Sequence, residues 1–480
     1  MVFSSVAFFP FLAAALLLYW GSTALAPRQA RRIVQHLVLV AASLWFYMSW
    51  NPRLVGLILL TIAFDWGAAL LVERTVSERA RRAIVVVSVA VNLGVLALFK
   101  YADFFLDQVE VAASVFGIQR DFAVNVVLPV GVSFYTFESM SYVIDVHRRL
   151  VRPIRNPIDY AVFITFFPHL VAGPIVRVRD FAPQLVRAMV PQDVHVRRGA
   201  YLFLLGLVKK VLISDQVAPV ADAVFADPLA HGPLATWVGV LAYTIQIYCD
   251  FSGYSDMALG LACLFGYRLP ENFDMPYLSR SITEFWRRWH ITLSSWLRDY
   301  LYIPLGGSRC TPGRTCLNLA VVMLLGGLWH GASWTFVVWG AIHGAGLIVH
   351  RAWVRLRGGP GRREGARGLG AVASWAGTLL FVMIAWVFFR AQELSDAGVI
   401  LSRMAGLGSS AGFELPSSIV AAVVLIVAGH AWGALRPLQA ESPAEQRHLG
   451  LAEGLACAVA LAALLVFAPD GTRPFIYFQF

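Results

Sequence analysis

The chain has 480 residues, of which 58% are hydrophobic and only 14% charged. A soluble chain of this length carries about a quarter charged residues, so a water-soluble globular fold is excluded and a bilayer solvent is implied. The formal net charge of +10 does not point to nucleic acid, because the basic residues sit in short loops between apolar runs and read as topology determinants.

Each crossing needs roughly 20 apolar residues. Residues 6–25, 33–48, 54–72 and 83–99 supply the first four candidates. The first has no Lys or Arg before it and is followed by Arg28, Arg31 and Arg32, which fits an uncleaved first span with its N-terminus outside. Basic clusters after the first and third runs predict cytoplasmic loops, and the Arg53 loop is expected outside.

The middle of the chain is less regular. Residues 125–146 lead into Arg148, Arg149, Arg152 and Arg155, so this run should point inward. Residues 160–172 are short, contain Pro168, and have basic residues on both sides. That pattern predicts a re-entrant segment enclosed by protein. Residues 201–213 should rise to an outer loop holding Asp215, Asp222 and Asp227, and residues 234–265 should return as a long, interrupted stretch.

Residues 317–350 are flanked by Arg309 and Arg314 before and by Arg351, Arg355 and Arg357 after, which predicts a hairpin with both ends cytoplasmic. His330 falls near its midpoint, deep in the outer half of the membrane, after a rise of about 20 Å if the run is helical. Three further spans follow, at 371–389, 419–435 and 451–468, with residues 357–370 as a flexible Gly- and Arg-rich loop. The expected fold is therefore all-α: one polytopic membrane domain of about a dozen spans, with re-entrant and amphipathic interfacial helices. It divides into N-terminal helices (1–120), a core holding the site motifs (121–350) and C-terminal helices (351–480).

Three polar clusters interrupt this apolar background, and intramembrane polar groups are candidate sites by default. The first, Tyr248 to Asp256, carries Asp250, Ser252 and Asp256; it reads either as a helix break capped by its own side chains or as a cavity lining. The second, Ser281 to Tyr300, reads as one amphipathic helix with Arg287, His290, Ser294 and Arg298 on one stripe. It is either an interfacial lipid anchor or, through its guanidiniums, a site for a phosphate-rich donor. The third is His330 itself, between Trp329 and Trp334, where an imidazole suits proton transfer near neutral pH. His350 borders the basic loop, and His343 stays ambiguous.

The five cysteines are scattered, without a CxxC, and suit buried thiols better than a disulfide framework or a zinc site. His290 and His330 are too far apart in sequence to suggest a metal. Walker A, GxSxG and HExxH patterns are missing.

The run PYLSRSITEFWRRWHITLSSWLRDYLYIPLGG, followed by LWHGASW, resembles the membrane-bound O-acyltransferase superfamily, and more narrowly its alginate O-acetyltransferase-like branch. LPVGVSFYTFESMSYVIDVHRR, FFPHLVAGPIVR, IYCDFSGYSDMALGLACLFGYRLPENF and the terminal FIYFQF carry the likeness to both ends. The resemblance implies that His330 is the family's membrane histidine and His290 the second characteristic one. It also implies acetyl-CoA or a related thioester as cytoplasmic donor, with no bound cofactor, and an extracytoplasmic acetyltransferase or acceptor protein as partner in a bacterial inner membrane. On this reading His330 is the general base. Arg287, Arg288 and His290 shape the donor site, and Asp250, Ser252, Asp256 and Trp329 line the cavity. D-alanyl transfer to teichoic acid is the nearest alternative; a proton-coupled transporter and a scaffold of a polysaccharide-export complex are the non-enzymatic ones.

Overall fold

A computed structural model describes residues 1–117, 128–358, 368–408, 413–435, 451–467 and 473–476. Among these the chain is all-helical, with no strand. It forms two compact units, residues 1–203 with 254–270 and residues 204–253 with 271–480.

The first unit opens with α1 (Phe8–Leu25), α2 (Arg31–Met48), α3 (Val55–Arg74), α4 (Glu78–Leu96) and α5 (Ala102–Val115). A π-helical turn at Ala97–Tyr101 joins α4 to α5, so the helix expected to end near residue 99 runs on to Val115. Next come α6 (Val132–His147), α7 (Pro157–Thr165), α8 (Phe167–Leu170), α9 (Val178–Phe181) and α10 (Val196–Leu207), the last running past the unit boundary. Residues 125–127, the start of the run expected at 125–146, lie outside the described residues. One buried carboxylate in these apolar helices is satisfied by a neighbouring helix. Asp65 on α3, fully buried, accepts from Ser88 Oγ (2.7 Å) and Asn92 Nδ2 (2.9 Å) on α4. The stretch containing Pro168 is broken at Phe166 and buried from Val162 onward, the enclosed short segment that its length and proline predict.

The second unit begins at Leu204 and continues through a π-helical turn (Val208–Ser214) into α11 (Asp215–Ala226). Residues 215–226 are thus helix, not the expected loop: the π-helical turn runs directly into α11, Asp215 is paired with Lys210 (2.8 Å) instead of being left to water, and Pro219 is carried inside the helix. α12 (Pro233–Leu264) is a single helix of 32 residues, supplying residues to Gly253 to the second unit and the rest to the first. The interruption expected at Tyr248–Asp256 is not there. Lys210 reaches Asp250 (2.8 Å), so the carboxylate is paired from another segment and the backbone has no need to unwind. Gly253 lets that segment approach, since a Cβ there would lie 2.8 Å from the Gly206 carbonyl oxygen.

α13 (Ile282–Arg288) and α14 (Ile291–Leu297) replace the single amphipathic helix expected over 281–300. Trp289 is extended and His290 sits at φ +42°, a left-handed conformation that a continuous helix excludes. Then come α15 (Pro312–His330), α16 (Trp334–Leu356), α17 (Leu369–Arg390), α18 (Leu394–Met404), α19 (Ser417–Leu435) and α20 (Leu451–Phe467). Most of the flexible loop expected at 357–370 lies outside the described residues, as does Ala468.

The hairpin expected over 317–350 is present as α15 and α16, the most extensively packed helix pair. Thr311 caps the start of α15, Pro312 occupies its first turn, and the chain turns extended at Gly331. Ser333 then caps α16 by accepting from Thr335 N. The two helices touch backbone to backbone: a Cβ at Gly327 would run into the Phe336 carbonyl oxygen, and one at Gly340 into that of Met323. Gly327→Val is therefore expected to destabilise the hairpin by about 2–4 kcal/mol, read as a lowered thermal midpoint in detergent. An unchanged midpoint would mean the helices separate without cost.

Among the described residues, six helices are long and apolar enough to cross a membrane by length and composition: Phe8–Leu25, Pro52–Arg74, Glu78–Val115, Pro233–Leu264, Leu369–Arg390 and Ser417–Ala434. Leu18, Leu60, Val86, Val372 and Val424 stand exposed on five of them, the arrangement a lipid solvent favours.

Candidate functional site

The break between α13 and α14 turns His290 inward. Ser281 caps α13 by accepting from Glu284 N, and two backbone bonds clamp the break to the segment ahead of it: Asp274 N to Arg288 O and Ile291 N to Asn272 O, both 2.9 Å. Asn272 thereby comes under the His290 ring. Its Oδ1 lies 3.1 Å from His290 Nδ1, 3.3 Å from Thr292 N and 2.8 Å from Thr292 Oγ1. The Thr292 backbone N–H can only donate, so the atom facing it is the amide oxygen. His290 Nδ1 must then carry the proton, and its Nε2 presents a lone pair. That Nε2 is buried and has no hydrogen-bond partner among the described residues.

His330, the last residue of α15, is buried at 3% exposure beside His290, with ring centroids 6.5 Å apart. Aromatic rings wall the pair. Trp329, Trp339 and Phe389 lie 5.0, 5.0 and 5.1 Å from the His330 ring, and Phe251 meets His290 edge-on at 4.7 Å. Trp329 also packs on His290 at 6.0 Å, so one indole touches both imidazoles. Two histidines far apart in sequence thus share one buried, aromatic chamber. No group of three or more His, Cys, Asp or Glu suited to a metal occurs among the described residues.

The other predicted site residues divide. Arg288 bonds Glu284 (3.1 Å) and reaches Asp274 (3.4 Å), bracing the broken helix, whereas Arg287 is exposed, with no ion-pair partner among the described residues. Asp250 is committed on both oxygens, to Lys210 (2.8 Å) and to the backbone N–H of Ile476 (2.6 Å). Ser252 is fully buried with an unpartnered hydroxyl. Asp256 lies on the part of α12 that belongs to the first unit.

Sequence reasoning missed Asn272, whose only signal was its place just ahead of the tryptophan-rich run. It also left open His343, which accepts the Trp286 indole N–H at Nδ1 (3.2 Å).

The first unit holds a cavity of about 640 Å³ lined by Asp180, Gln184, Arg187, Asp193, His195 and Arg268, among others. A two-pronged bond from Arg187 (2.6 and 2.7 Å) holds the Asp193 carboxyl below its usual range. Two arginines against two carboxylates leave this lining without the net positive charge that a polyphosphate needs.

The model of the membrane-bound O-acyltransferase family matches residues 132–389, a range that includes both chamber histidines. The chain is 40% identical over 519 aligned residues to a probable alginate O-acetylase of Azotobacter vinelandii, covering all of both chains. It is 37% identical over 396 residues to a peptidoglycan O-acetyltransferase of Helicobacter pylori, covering 77% of this chain and 73% of that one. A teichoic acid D-alanyltransferase of Streptococcus thermophilus is 31% identical over 243 residues, 47% of this chain and 57% of the other.

Proposed function

The chain belongs to the membrane-bound O-acyltransferase family, and from that premise we propose that it takes an acetyl group from cytoplasmic acetyl-CoA and passes it across the membrane for O-acetylation of an extracytoplasmic polysaccharide such as alginate. The observation that carries this reading is the buried pair His290 and His330, set at the turn of the α15–α16 hairpin and at a clamped helix break. The protein crosses the bacterial inner membrane several times, with further crossings by helices beyond those six and with the basic loops inside.

His330 is the general base. It takes the proton from an acceptor hydroxyl as that oxygen adds to the thioester carbonyl carbon. The C–S bond then breaks, and the proton leaves with the thiolate as free thiol. His290, held as a hydrogen-bond acceptor by Asn272, receives an amide N–H of the pantetheine arm, and Arg287 supplies the free guanidinium for the donor's phosphates. Trp329 keeps water from the thioester. The acceptor is a hydroxyl of the polymer or of an extracytoplasmic partner protein. D-alanyl transfer is less supported, since the teichoic acid relative aligns over only 47% of this chain.

Sealed vesicles carrying the protein test the direction of transfer. With labelled acetyl-CoA on the cytoplasmic face and an acetylatable glucuronan or mannuronan on the other, free CoA is expected on the first side and acetylated polymer on the second. Polymer acetylated without any consumption of thioester would sink the reading.

A further inference from the structure

His343 on α16 is fully buried and has no part in the reaction outlined above. Its ring sits in an aromatic box, 4.6 Å from Trp339, 5.1 Å from Trp286, 5.6 Å from Phe381 and 6.4 Å from Trp386. The tautomer follows from one contact. An indole N–H only donates, and that of Trp286 lies 3.2 Å from His343 Nδ1, so Nδ1 is the acceptor. The proton of the neutral ring is then on Nε2. This Nε2 is buried and has no hydrogen-bond partner among the described residues.

A buried N–H without a partner is destabilising, and a phenylalanine would fill an aromatic box without that cost. His343 is thus a polar residue whose second nitrogen is kept for something not yet in the site. Trp339 links it to the reaction centre: that indole packs against His343 at 4.6 Å and against His330 at 5.0 Å. His290 and His343 thus differ in tautomer. His290 presents a lone pair, and His343 presents a proton.

We infer that the His343 Nε2–H is the hydrogen-bond donor for the carbonyl oxygen of the acyl thioester, stabilising the oxyanion that forms when the acceptor hydroxyl adds. The inference rests on the acyl-transfer reading, with His330 as base. As the hydroxyl oxygen bonds to the carbonyl carbon and its proton passes to His330, the carbonyl π electrons move onto oxygen, where the N–H meets them. They return as the C–S bond breaks and the thiol departs with the proton. His343 itself gains and loses none. A donor already in place in a buried aromatic box costs no reorganisation at the moment of reaction.

Two substitutions separate this role from a structural one. His343→Asn keeps an oxygen near the Nδ1 position to receive the Trp286 N–H and removes the Nε2 donor. His343→Gln does the reverse, presenting an amide N–H near the Nε2 position. Measured as acetyl-CoA turnover in vesicles, His343→Asn is expected to lower kcat by about 10²–10³-fold with little change in KM, the usual cost of one oxyanion donor. His343→Gln should recover at least about tenfold of that loss. Equal rates for His343→Asn and wild type, or a Gln variant weaker than the Asn variant, would overturn the inference.

Binding gives a second check that does not depend on turnover. A ketone analogue of acetyl-CoA, with CH₂ for sulfur, should bind more tightly than the S-ethyl thioether, which lacks the carbonyl oxygen. His343→Asn should erase that preference, and a preference that persists counts against the inference. Wild-type turnover is scored separately. Its absence sinks the acyl-transfer reading and this inference together, whereas turnover with a silent His343 sinks the inference alone.

Discussion

His330→Ala is expected to strip acetyl groups from the extracellular polymer while polymer output and membrane expression stay at wild-type levels. A positioned general base contributes about 10²–10⁴ in rate, and loss at the upper end leaves acetylation undetectable in a whole-cell measurement. The chamber around the ring explains why the effect should be chemical and not structural. His330 packs on Trp329, Trp339 and Phe389, and an alanine there leaves those walls supported by their own contacts, such as Trp339 with Trp386 at 6.0 Å and Phe336 with Phe389 at 4.9 Å. His290→Ala should act differently. It removes an acceptor held by Asn272, so its main effect is a raised KM for acetyl-CoA with a smaller loss in kcat. Unchanged acetylation in His330→Ala would remove this residue from the mechanism. Loss of polymer output together with acetylation would favour the export-scaffold or transporter reading over an enzyme.

Charge and hydropathy carried the sequence a long way. The apolar runs near residues 6–25, 54–72, 371–389 and 419–435 became helices with bounds shifted by a few residues. The α15–α16 hairpin, with His330 at its turn, followed from flanking arginines and from a run long enough for two passes. These features are local: a helix in lipid satisfies its own backbone, so composition alone predicts it.

What escaped were long-range compensations. Periodicity over 281–300 favoured one helix, because nothing in that run says that Asn272 and Asp274 will clamp a break at Trp289–His290. The cluster at Tyr248–Asp256 looked like a break for the opposite reason. Its carboxylate is paired from residue 210 and from residue 476, distances at which no periodic signal operates. In both places the partner decided the backbone, and the partner was remote. The same holds for His343, which became informative only once the Trp286 indole fixed its tautomer.

Lys210→Met should be among the most destabilising single changes available outside the chamber. The ammonium lies 2.8 Å from both Asp215 and Asp250, and all three side chains are at most 7% exposed. Removing the cation leaves two carboxylates facing each other without water. Breaking a buried pair in this way costs about 3–5 kcal/mol, far more than its net worth as an intact pair, because the penalty is an uncompensated buried charge. The cost should reach the chamber. Asp250 also accepts the Ile476 N–H, Phe475 lies 5.7 Å from the Phe251 ring, and Phe251 in turn meets His290 at 4.7 Å. The segment 473–476 is held at its other side by Arg473 to Asp222 (2.7 Å), a carboxylate that Arg390 also binds (3.0 Å). Thermal unfolding in detergent should therefore show a lowered midpoint for Lys210→Met, and acetyl transfer should fall with it at temperatures where the protein is still folded. The triple variant Lys210→Met, Asp215→Asn, Asp250→Asn is the decisive control. With no charge left to bury, it should recover most of the lost stability, while the amide oxygen introduced at position 250 can still accept from the Ile476 N–H. If the triple variant were no more stable than Lys210→Met alone, the carboxylates would not be the source of the penalty, and the lost packing of the lysine stem would take their place.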